Sequence, residues 1–147
     1  FLVGDWDRHP DQWRWASTRT DDGGRLWAPV ARDRDWALAR IEGLLPWIAR
    51  FPFPQYVGFD HDYPDAFNLS WSGRALDRLI LPALDWPEWE QTITAIQERL
   101  TDEVIAGAAA TLPASYEERI GLGLREEIVK RRNRQVIVIH VFLSLIQ

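Results

Sequence analysis

Residues 12–30 read QWRWASTRTDDGGRLWAPV, and this stretch decides the fold at the N-terminal end of the chain. Aromatic and other side chains alternate along residues 12–16 with a period of two, which is typical of a β-strand. Residues 26–30 are also strand-like, with Pro29 at an edge or a strand end because proline has no N–H to donate. A strong turn signal occupies residues 20–25. The sequence therefore predicts a β-hairpin.

Acidic residues lie beyond both strands of this predicted hairpin. The decapeptide GDWDRHPDQW at residues 4–13 leads into the first strand and contains Asp7 and, five positions later, Gln12. The second strand leads to Asp33 and Asp35. Because the turn reverses the chain, the two acidic clusters should meet at one end of the hairpin.

A carboxylate, an amide and a second carboxylate are groups that a phosphoryl-transfer site uses. A carboxylate orients the acceptor hydroxyl and takes its proton, and Mg²⁺ is held by hard oxygen ligands. The spacing of the three side chains matches these roles, with Asp7 as the base and with Gln12 and Asp33 as metal ligands.

The decapeptide resembles the catalytic loop of atypical, protein-kinase-like enzymes. Phosphoinositide kinases, HipA-type kinases, the secreted Golgi casein-kinase-like family and the CotH spore-coat kinases have a similar DRH-x-x-N loop, followed by a hairpin and a metal-binding Asp. The stretch LWAPVARDRDW at residues 26–36 is similar to the Pro-x-Asp-x-Asp motif of CotH-like proteins. The resemblance covers about residues 1–40, and the helical patterns after it fit a kinase C-lobe in order and length.

The resemblance implies a role for each matching loop residue. Asp7 would be the catalytic base, while Arg8 and His9 would shape the loop, with His9 near the phosphates. Gln12 would take the place of the metal-binding Asn, although its side chain is longer by one methylene.

The resemblance also implies a metal site and its cofactors. Asp33 would correspond to the Asp of the kinase metal motif, and Asp35 would be a second ligand or a neighbour. The implied cofactors are Mg²⁺ (or Mn²⁺) and ATP, so the partners are a nucleotide and a phosphate acceptor of unknown class.

The resemblance predicts that residues 1–147 form a single domain, a C-lobe without its N-lobe. A kinase needs a lysine, a partner glutamate and a phosphate-covering loop before the catalytic loop, and the only lysine here is Lys130. The chain begins with Phe1 and has no methionine, which suggests a fragment or a processed product. We therefore expect this chain to be inactive alone.

Composition narrows the class of protein. The 147 residues are 46% apolar and carry a net charge of −5, which suits one packed domain and argues against nucleic acid as the main partner. The absence of cysteine excludes disulfides and thiolate metal sites. The longest apolar run, Val136 to Ile146, is interrupted and too short to span a bilayer, so no transmembrane segment is expected. We expect most of the nine tryptophans in the core.

The remainder of the chain has helical patterns. The spacing of apolar residues and the capping signals predict helices over 36–48, 73–81, 87–100, 101–112 and 115–132, with an irregular loop at 50–72. The segment 135–146 has a β-branched run of strand propensity, but its length and position favour a buried helix, which we prefer. The predicted fold class is α+β, mostly α: a small β-hairpin carrying the acidic site, followed by a helical bundle like a kinase C-lobe.

Several other residues could in principle take part in binding or catalysis, but each has a simpler structural interpretation. Asp60-His61-Asp62 is expected to be exposed rather than metal-binding, and His140 to be a core or interface residue. Asp77-Arg78 either braces the acidic loop through an ion pair or forms a plain surface pair. The basic cluster at residues 130–134 is expected at a helix C-terminus, where it complements the dipole. Gly121-Leu122-Gly123 lacks the strand and third glycine of a dinucleotide site.

Two alternatives to a phosphotransferase stay open. The first is a metal-dependent hydrolase in which Asp5, Asp7, Asp33 and Asp35 form a carboxylate cluster, although a loop cap or an ion pair is the simpler role for Asp5. The second is a non-catalytic interaction domain with a kinase-like shape. The cell compartment stays open as well.

Overall fold

The computed structural model describes residues 1–60 and 66–146. A two-stranded antiparallel hairpin near the N-terminus is followed by helices that continue to the C-terminal end. The predicted α+β class, mostly helical with a hairpin first, is confirmed. In the described parts of the chain, no helix combines the length and the apolar character that crossing a membrane requires.

The hairpin pairs β1 (Trp13–Arg19) with β2 (Arg25–Ala31). Trp13 lies opposite Ala31, and Arg19 lies opposite Arg25, so the two strands are in register along their whole length. Because paired residues share one face of a hairpin, Trp13, Trp15 and Trp27 lie on the same face. The open end of the hairpin is the end next to the two acidic clusters.

Side-chain hydrogen bonds close the turn of the hairpin. The Thr20 hydroxyl and the backbone N–H of Gly24 both donate to the Asp22 carboxylate, and they lower the pKa of Asp22 below its ordinary value. Gly23 has a φ of 83°, in the left-handed region that glycine adopts without steric cost. The sequence TDDGG therefore determines where the chain reverses.

Seven α-helices occur in the described residues, together with short 3₁₀ and π turns. The helices are α1 (Leu44–Ala49), α2 (Ala66–Ser70), α3 (Arg74–Ile80), α4 (Trp86–Arg99), α5 (Asp102–Ala109), α6 (Ala114–Tyr116) and α7 (Leu122–Ile146). The 3₁₀ turns are Pro10–Gln12 and Leu81–Ala83, and the π turn is Glu117–Gly121.

Capping confirms the predicted starts of α4 and α5. Pro87 lies in the first turn of α4, where an N–H would have no partner within the helix, so proline costs no hydrogen bond there. Asp85 and Glu88 form a capping box. The Thr101 hydroxyl accepts a hydrogen bond from the N–H of Val104 at the start of α5. These local signals were sufficient because each satisfies N–H groups that a helix leaves unpaired.

Three predicted boundaries are wrong. Instead of the predicted helix 36–48, the structure has only the short helix α1 (Leu44–Ala49). Leu38 has a φ of 62° and Gly43 a φ of 107°, and an α-helix accommodates neither. The predicted loop 50–72 contains α2, and residues 61–65 of it lie outside the described part. Ser115 caps no long helix; it lies within α6, and a π turn separates α6 from α7.

Helix α7 is continuous through the segment 135–146, as preferred from the sequence. The basic cluster at 130–134 therefore lies in the middle of a helix and not at its C-terminus, so that prediction was wrong. Arg131 is only 1% exposed and donates to the backbone carbonyls of Phe1, Leu2 and Asp60. The cluster contributes to tertiary structure, because one of its members ties α7 to the N-terminal residues.

Two expectations concerned aromatic rings. His140, expected in the core or at an interface, is exposed and stacks on Trp86 with the ring centroids 3.8 Å apart, so it is not a core residue. Most of the tryptophans were expected in the core, and that expectation was wrong. Only Trp6 among the tryptophans is fully buried, where it packs with Trp36 and Tyr56. Aromatic content alone does not distinguish a core ring from a surface ring when the ring lies on a two-stranded hairpin that is open to solvent.

Candidate functional site

The acidic loop begins at Gly4, where the chain makes a tight turn against α7. Gly4 is buried with a φ of 66°, and its N–H donates to the carbonyl of Phe1. A Cβ at this position would lie 3.0 Å from the ring of Phe59 and 3.4 Å from the Arg131 guanidinium. Glycine is therefore required both by the backbone conformation and by the close approach of its neighbours.

Asp5 joins the loop to the segment after β2. Its buried carboxylate accepts from Nη1 of Arg34 at 2.7 Å and from the N–H of Asp7 at 3.2 Å. The Arg34 guanidinium also lies 4.4 Å from the ring centre of Trp13. Asp5 is thus both a loop cap and an ion-pair partner, as its simpler interpretation predicted.

Arg8 joins the loop to α3. Its guanidinium donates twice to the Asp77 carboxylate, at 2.7 and 3.3 Å, and both side chains are largely shielded from solvent. Asp77 therefore braces the acidic loop, which was one of its two predicted roles. Arg78 does not share in this pair, because it donates to the carbonyl of Leu145 near the end of α7.

Gln12 brings the two acidic clusters together. The 3₁₀ turn Pro10–Gln12 delivers its buried side chain to the base of the hairpin. There Nε2 donates to Oδ2 of Asp7 and to Oδ2 of Asp33, at 3.4 Å in each case. The carbonyl of Gln12 also accepts from the N–H of Arg32, which holds the segment before Asp33 in place.

Asp33 has an uncommon backbone conformation. Its φ of 48° lies in the left-handed region, which non-glycine residues adopt rarely and Asp tolerates better than most. Asp33 and Asp35 are both exposed to solvent. Such conformations are frequent where a side chain must be aimed at a particular point.

His9 lies beside Asp7. Its Nε2 is 3.8 Å from Oδ1 of Asp7, and its Nδ1 is 4.0 Å from Oδ2 of Asp11. The imidazole is about two-fifths exposed, so it lies at the solvent side of the loop. The structure thus places His9 next to Asp7.

The base of the hairpin brings two carboxylates close to one amide. Each carboxylate oxygen lies 3.4 Å from the same amide nitrogen, so the two oxygens are at most twice that distance apart. Mg²⁺ is commonly held by one or two carboxylates, with water and substrate phosphates completing its shell. The described residues contain no cluster of three or more His, Cys, Asp or Glu suited to a metal. The protein ligands would therefore be two carboxylates and one amide at most.

A cavity of about 290 Å³ lies beside the loop. Its walls include the Arg8–Asp77 pair, the Trp13 and Trp15 rings of β1, and Trp89 of α4. The walls are predominantly carbon. The cavity is therefore lined by Arg8 and Trp13, which are the sequence neighbours of His9 and Gln12.

Two structural partners were missed from the sequence. Arg34 was not singled out from the sequence, and it pairs with Asp5. Arg131 was grouped with its basic neighbours, although the periodicity of α7 carries a signal. Buried positions of this helix recur every three or four residues: Arg131, Gln135, Val138, Phe142 and Ile146. A charged residue on such a face indicates buried hydrogen-bond partners.

Comparison of the chain with protein-family models, with curated proteins and with solved structures gives no match in any of the three. The chemistry of the site therefore has to be inferred from its own residues. Those residues comprise the carboxylates of Asp7 and Asp33, the amide between them and the imidazole beside Asp7.

Proposed function

We propose that this chain is the C-terminal lobe of an atypical kinase-like phosphotransferase that uses Mg²⁺–ATP. The observation that carries the proposal is the side chain of Gln12, which is hydrogen-bonded to both Asp7 and Asp33. The motif predicts a base, an amide and a metal-binding carboxylate, and these three side chains converge on one point. A solvated acidic turn has no need for a buried amide that links carboxylates 26 positions apart in sequence.

Asp7 is the proposed base. Its carboxylate orients the acceptor hydroxyl and takes its proton as the hydroxyl oxygen bonds to the γ-phosphorus and ADP leaves. The N–H of Asp7 is held by the buried Asp5 carboxylate, which fixes the direction of the Asp7 backbone. His9 next to it contributes a second polar group on the solvent side.

Asp33, Gln12 and Asp35 are the proposed metal-binding residues. Mg²⁺ at this position would neutralise charge on the nucleotide phosphates. Asp33 lies at the base of the hairpin beside Gln12, and Asp35 follows two positions later on the exposed side. Only oxygen ligands are involved, in keeping with the preference of Mg²⁺.

Arg8 is a positioning residue. Both of its terminal guanidinium nitrogens donate to Asp77, so its charge is already paired with a buried carboxylate. This pair fixes the loop to α3, while the Asp5–Arg34 pair fixes it to the segment after β2. Two ion pairs, one made by Asp5 before Asp7 and one by Arg8 after it, thus hold the loop in place, which is the preorganisation that proton transfer requires.

The proposed reaction needs groups that this lobe does not present. The single lysine of the chain, Lys130, is on α7, far along the chain from the acidic loop. A lysine, its glutamate partner and a phosphate-covering loop would come from an N-lobe. We expect the 147-residue chain alone to show no phosphotransfer, and measurable turnover by the isolated chain would contradict this expectation.

The test compares variants in a protein that contains both lobes. Asp33→Ala should lose Mg²⁺-dependent nucleotide binding, measured by calorimetry. Asp7→Ala should keep nucleotide binding but lose turnover by about 10²-fold or more. Asp21→Ala, an exposed acid in the hairpin turn, is the matched control and should change neither property. Normal binding and turnover in both site variants would defeat the assigned roles.

A second candidate function, a non-catalytic interaction domain, is supported by the surface of α1 and the segment after it. Leu44, Leu45, Trp47 and Phe51 are between 57% and 79% exposed within eight residues. Contiguous exposed apolar patches mark interaction sites more often than isolated apolar residues do. Leu45→Asp should abolish concentration-dependent self-association in analytical ultracentrifugation, whereas Leu79→Asp, equally exposed on α3, should not. A chain that is monomeric at all concentrations would remove this support.

The hydrolase alternative has less support. It required four carboxylates around one metal, but Asp5 is buried in an ion pair with Arg34. The remaining acids of that proposal, Asp7, Asp33 and Asp35, are the ones that the phosphotransferase proposal already uses.

A further inference from the structure

The cavity beside the acidic loop lies between the hairpin and the helices. The residues that line it come from both strands, α3, α4 and α7, among them Trp15, Pro29, Leu76, Ile80, Trp89 and Phe142. Trp15 and Pro29 lie opposite each other in the hairpin and are exposed, whereas Phe142 is only 1% exposed. The cavity therefore leads from the surface of the hairpin toward the core.

The size and the walls of this cavity suit a small molecule. Its volume is about 290 Å³. An apolar cavity of about 150 Å³ holds benzene, so this one has space for a molecule about twice as large, such as two fused rings. Binding sites for small molecules are lined mainly by apolar and aromatic side chains, as this cavity is.

The charges in the wall of the cavity cancel each other. Among the described residues that line it, only Arg8 and Asp77 have charged side chains, and Nη2 of Arg8 donates to Oδ2 of Asp77 at 2.7 Å. A charged ligand would lose its water in this cavity without gaining a counter-charge of its own, which is costly. We therefore expect the occupant to be uncharged.

Two residues of the wall have an N–H group that lacks an acceptor. Nε of Arg8 and Nε1 of Trp89 are buried, and neither has a hydrogen-bond partner within the described part of the chain. A buried donor without an acceptor costs free energy, and native proteins contain few of them. A ligand oxygen that reached either N–H would satisfy it. The wall therefore favours a molecule with an acceptor oxygen over a pure hydrocarbon.

We propose that this cavity is a binding site for a small, uncharged molecule with a flat, fused-ring body and an acceptor oxygen. Tryptophan rings of the hairpin and of α4 supply apolar surfaces against which such a body packs. None of Asp7, Gln12 and Asp33 is among the described residues that line the cavity, so this site is separate from the acidic cluster. The inference goes beyond the proposed phosphotransferase and does not depend on it.

A pair of related compounds tests the class of ligand. 2-Naphthol is an uncharged fused-ring phenol at neutral pH, whereas 2-naphthoate has the same rings and a negative charge. In calorimetry with the 147-residue chain, 2-naphthol should bind with a Kd of about 0.1 mM or below. 2-Naphthoate should bind at least about tenfold more weakly, because its carboxylate loses water without gaining a counter-charge.

Two tryptophans of the hairpin form a matched pair of variants. Trp15 and Trp27 lie on the same face and are 45% and 56% exposed, but only Trp15 is among the residues that line the cavity. Trp15→Ala should weaken the binding of 2-naphthol about tenfold, because an aromatic wall is lost. Trp27→Ala should leave the Kd within about twofold, because its ring lies outside the cavity.

Two neighbouring residues of α3 provide a second matched pair. Ile80 lines the cavity, whereas Leu79 is 78% exposed and is not among the lining residues. Ile80→Phe places a larger side chain in the wall, so it should weaken the binding of 2-naphthol about tenfold by taking up space. Leu79→Phe should leave binding unchanged. Circular dichroism and Tm verify that each variant is folded.

Nuclear magnetic resonance shows where the ligand binds in the unchanged chain. The indole N–H signal of Trp89 is assigned by its loss in Trp89→Phe, and that of Trp47 by its loss in Trp47→Phe. Titration with 2-naphthol should shift the signal of Trp89, which lines the cavity. The signal of Trp47, which is 57% exposed on α1, should not move.

The outcomes either support this site or overturn it. Saturable binding of 2-naphthol that weakens in Trp15→Ala and Ile80→Phe, but not in their controls, supports the site. Equal weakening in the variants and their controls, or a shift of the Trp47 signal instead of the Trp89 signal, would place the compound elsewhere on the surface and overturn the inference. A lack of saturable binding would overturn it as well. Equal affinity for 2-naphthoate would refute the assigned class of ligand.

Discussion

Arg8 and Asp77 are 69 positions apart in the sequence, and they join the acidic loop to α3 by two side-chain hydrogen bonds, at 2.7 and 3.3 Å. The pair forms part of the wall of the cavity beside the loop. Arginine suits this position because its planar group matches a carboxylate in two places at once. The orientation of the loop that carries Asp7 therefore depends on a helix far along the chain.

Removal of one partner of this pair should be strongly destabilising. Asp77→Asn leaves the largely buried guanidinium of Arg8 without a counter-charge, so the free energy of unfolding should fall by about 3 kcal/mol. Urea denaturation measures the change. Asp102→Asn is the control: the Asp102 side chain, which pairs with Arg132, is itself 69% exposed, so its loss should cost less than about 1 kcal/mol. An equal loss in both variants would contradict the structural role of Asp77.

Asp33 offers a way to separate folding from metal binding. Asp33→Gly should keep the free energy of unfolding within about 1 kcal/mol, because glycine adopts a φ of 48° without strain. Asp33→Val should lower it by about 1–2 kcal/mol, because a β-branched side chain is strained there. Both variants should lose Mn²⁺ binding in calorimetry. Unchanged Mn²⁺ affinity in Asp33→Gly would remove Asp33 from the metal site.

Two glycines should respond to alanine in opposite directions. Gly4→Ala places a Cβ 3.0 Å from the ring of Phe59 at a φ of 66°, so the free energy of unfolding should fall by roughly 1–3 kcal/mol. Gly107 lies within α5, and a Cβ added there would have no atom within 4 Å. Gly107→Ala should therefore raise the free energy of unfolding by about 0.5–1 kcal/mol. Thermal and urea denaturation distinguish the two. Equal effects would show that the turn at Gly4 is not as tight as described.

Arg131 should be far more sensitive than its basic neighbours. Arg131→Met removes the donors that three backbone carbonyls share, and the free energy of unfolding should fall by about 3 kcal/mol or more. Arg131→Lys should be almost as unstable as Arg131→Met, because an ammonium group cannot reproduce the spread donors of a guanidinium. Lys130→Met, one position earlier and exposed, should stay within about 0.5 kcal/mol. A comparable loss in Lys130→Met would point to helix propensity instead.

The parts of the fold that the sequence predicted are those determined by neighbouring residues. The turn at Asp22 and Gly23 and the cap at Thr101 depend on hydrogen bonds a few positions apart, so local patterns were sufficient. The failure over 36–48 has the opposite cause. Leu38 adopts a left-handed conformation, and its N–H donates to the carbonyl of Val3, a contact that no local pattern encodes.

In the candidate site, too, some features could be predicted from neighbouring residues and others could not. The approach of Asp7 and Asp33 was predictable, because a hairpin with a known turn brings its flanking residues together. The partners that hold them, Asp77 and Arg34, were harder to foresee. Two acids and two arginines can pair in several ways, and only the packing of α3 and of the segment after β2 determines which pairing occurs.

The attachment of Arg131 to the carbonyls of Phe1 and Leu2 affects how the protein is made on the ribosome. Phe1 and Leu2 are held by a side chain that is synthesised about 130 residues later. The N-terminal turn before Asp7 cannot be held in this way until Arg131 of α7 has emerged. We therefore expect nascent chains that stop before α7 to contain the hairpin without an ordered acidic loop.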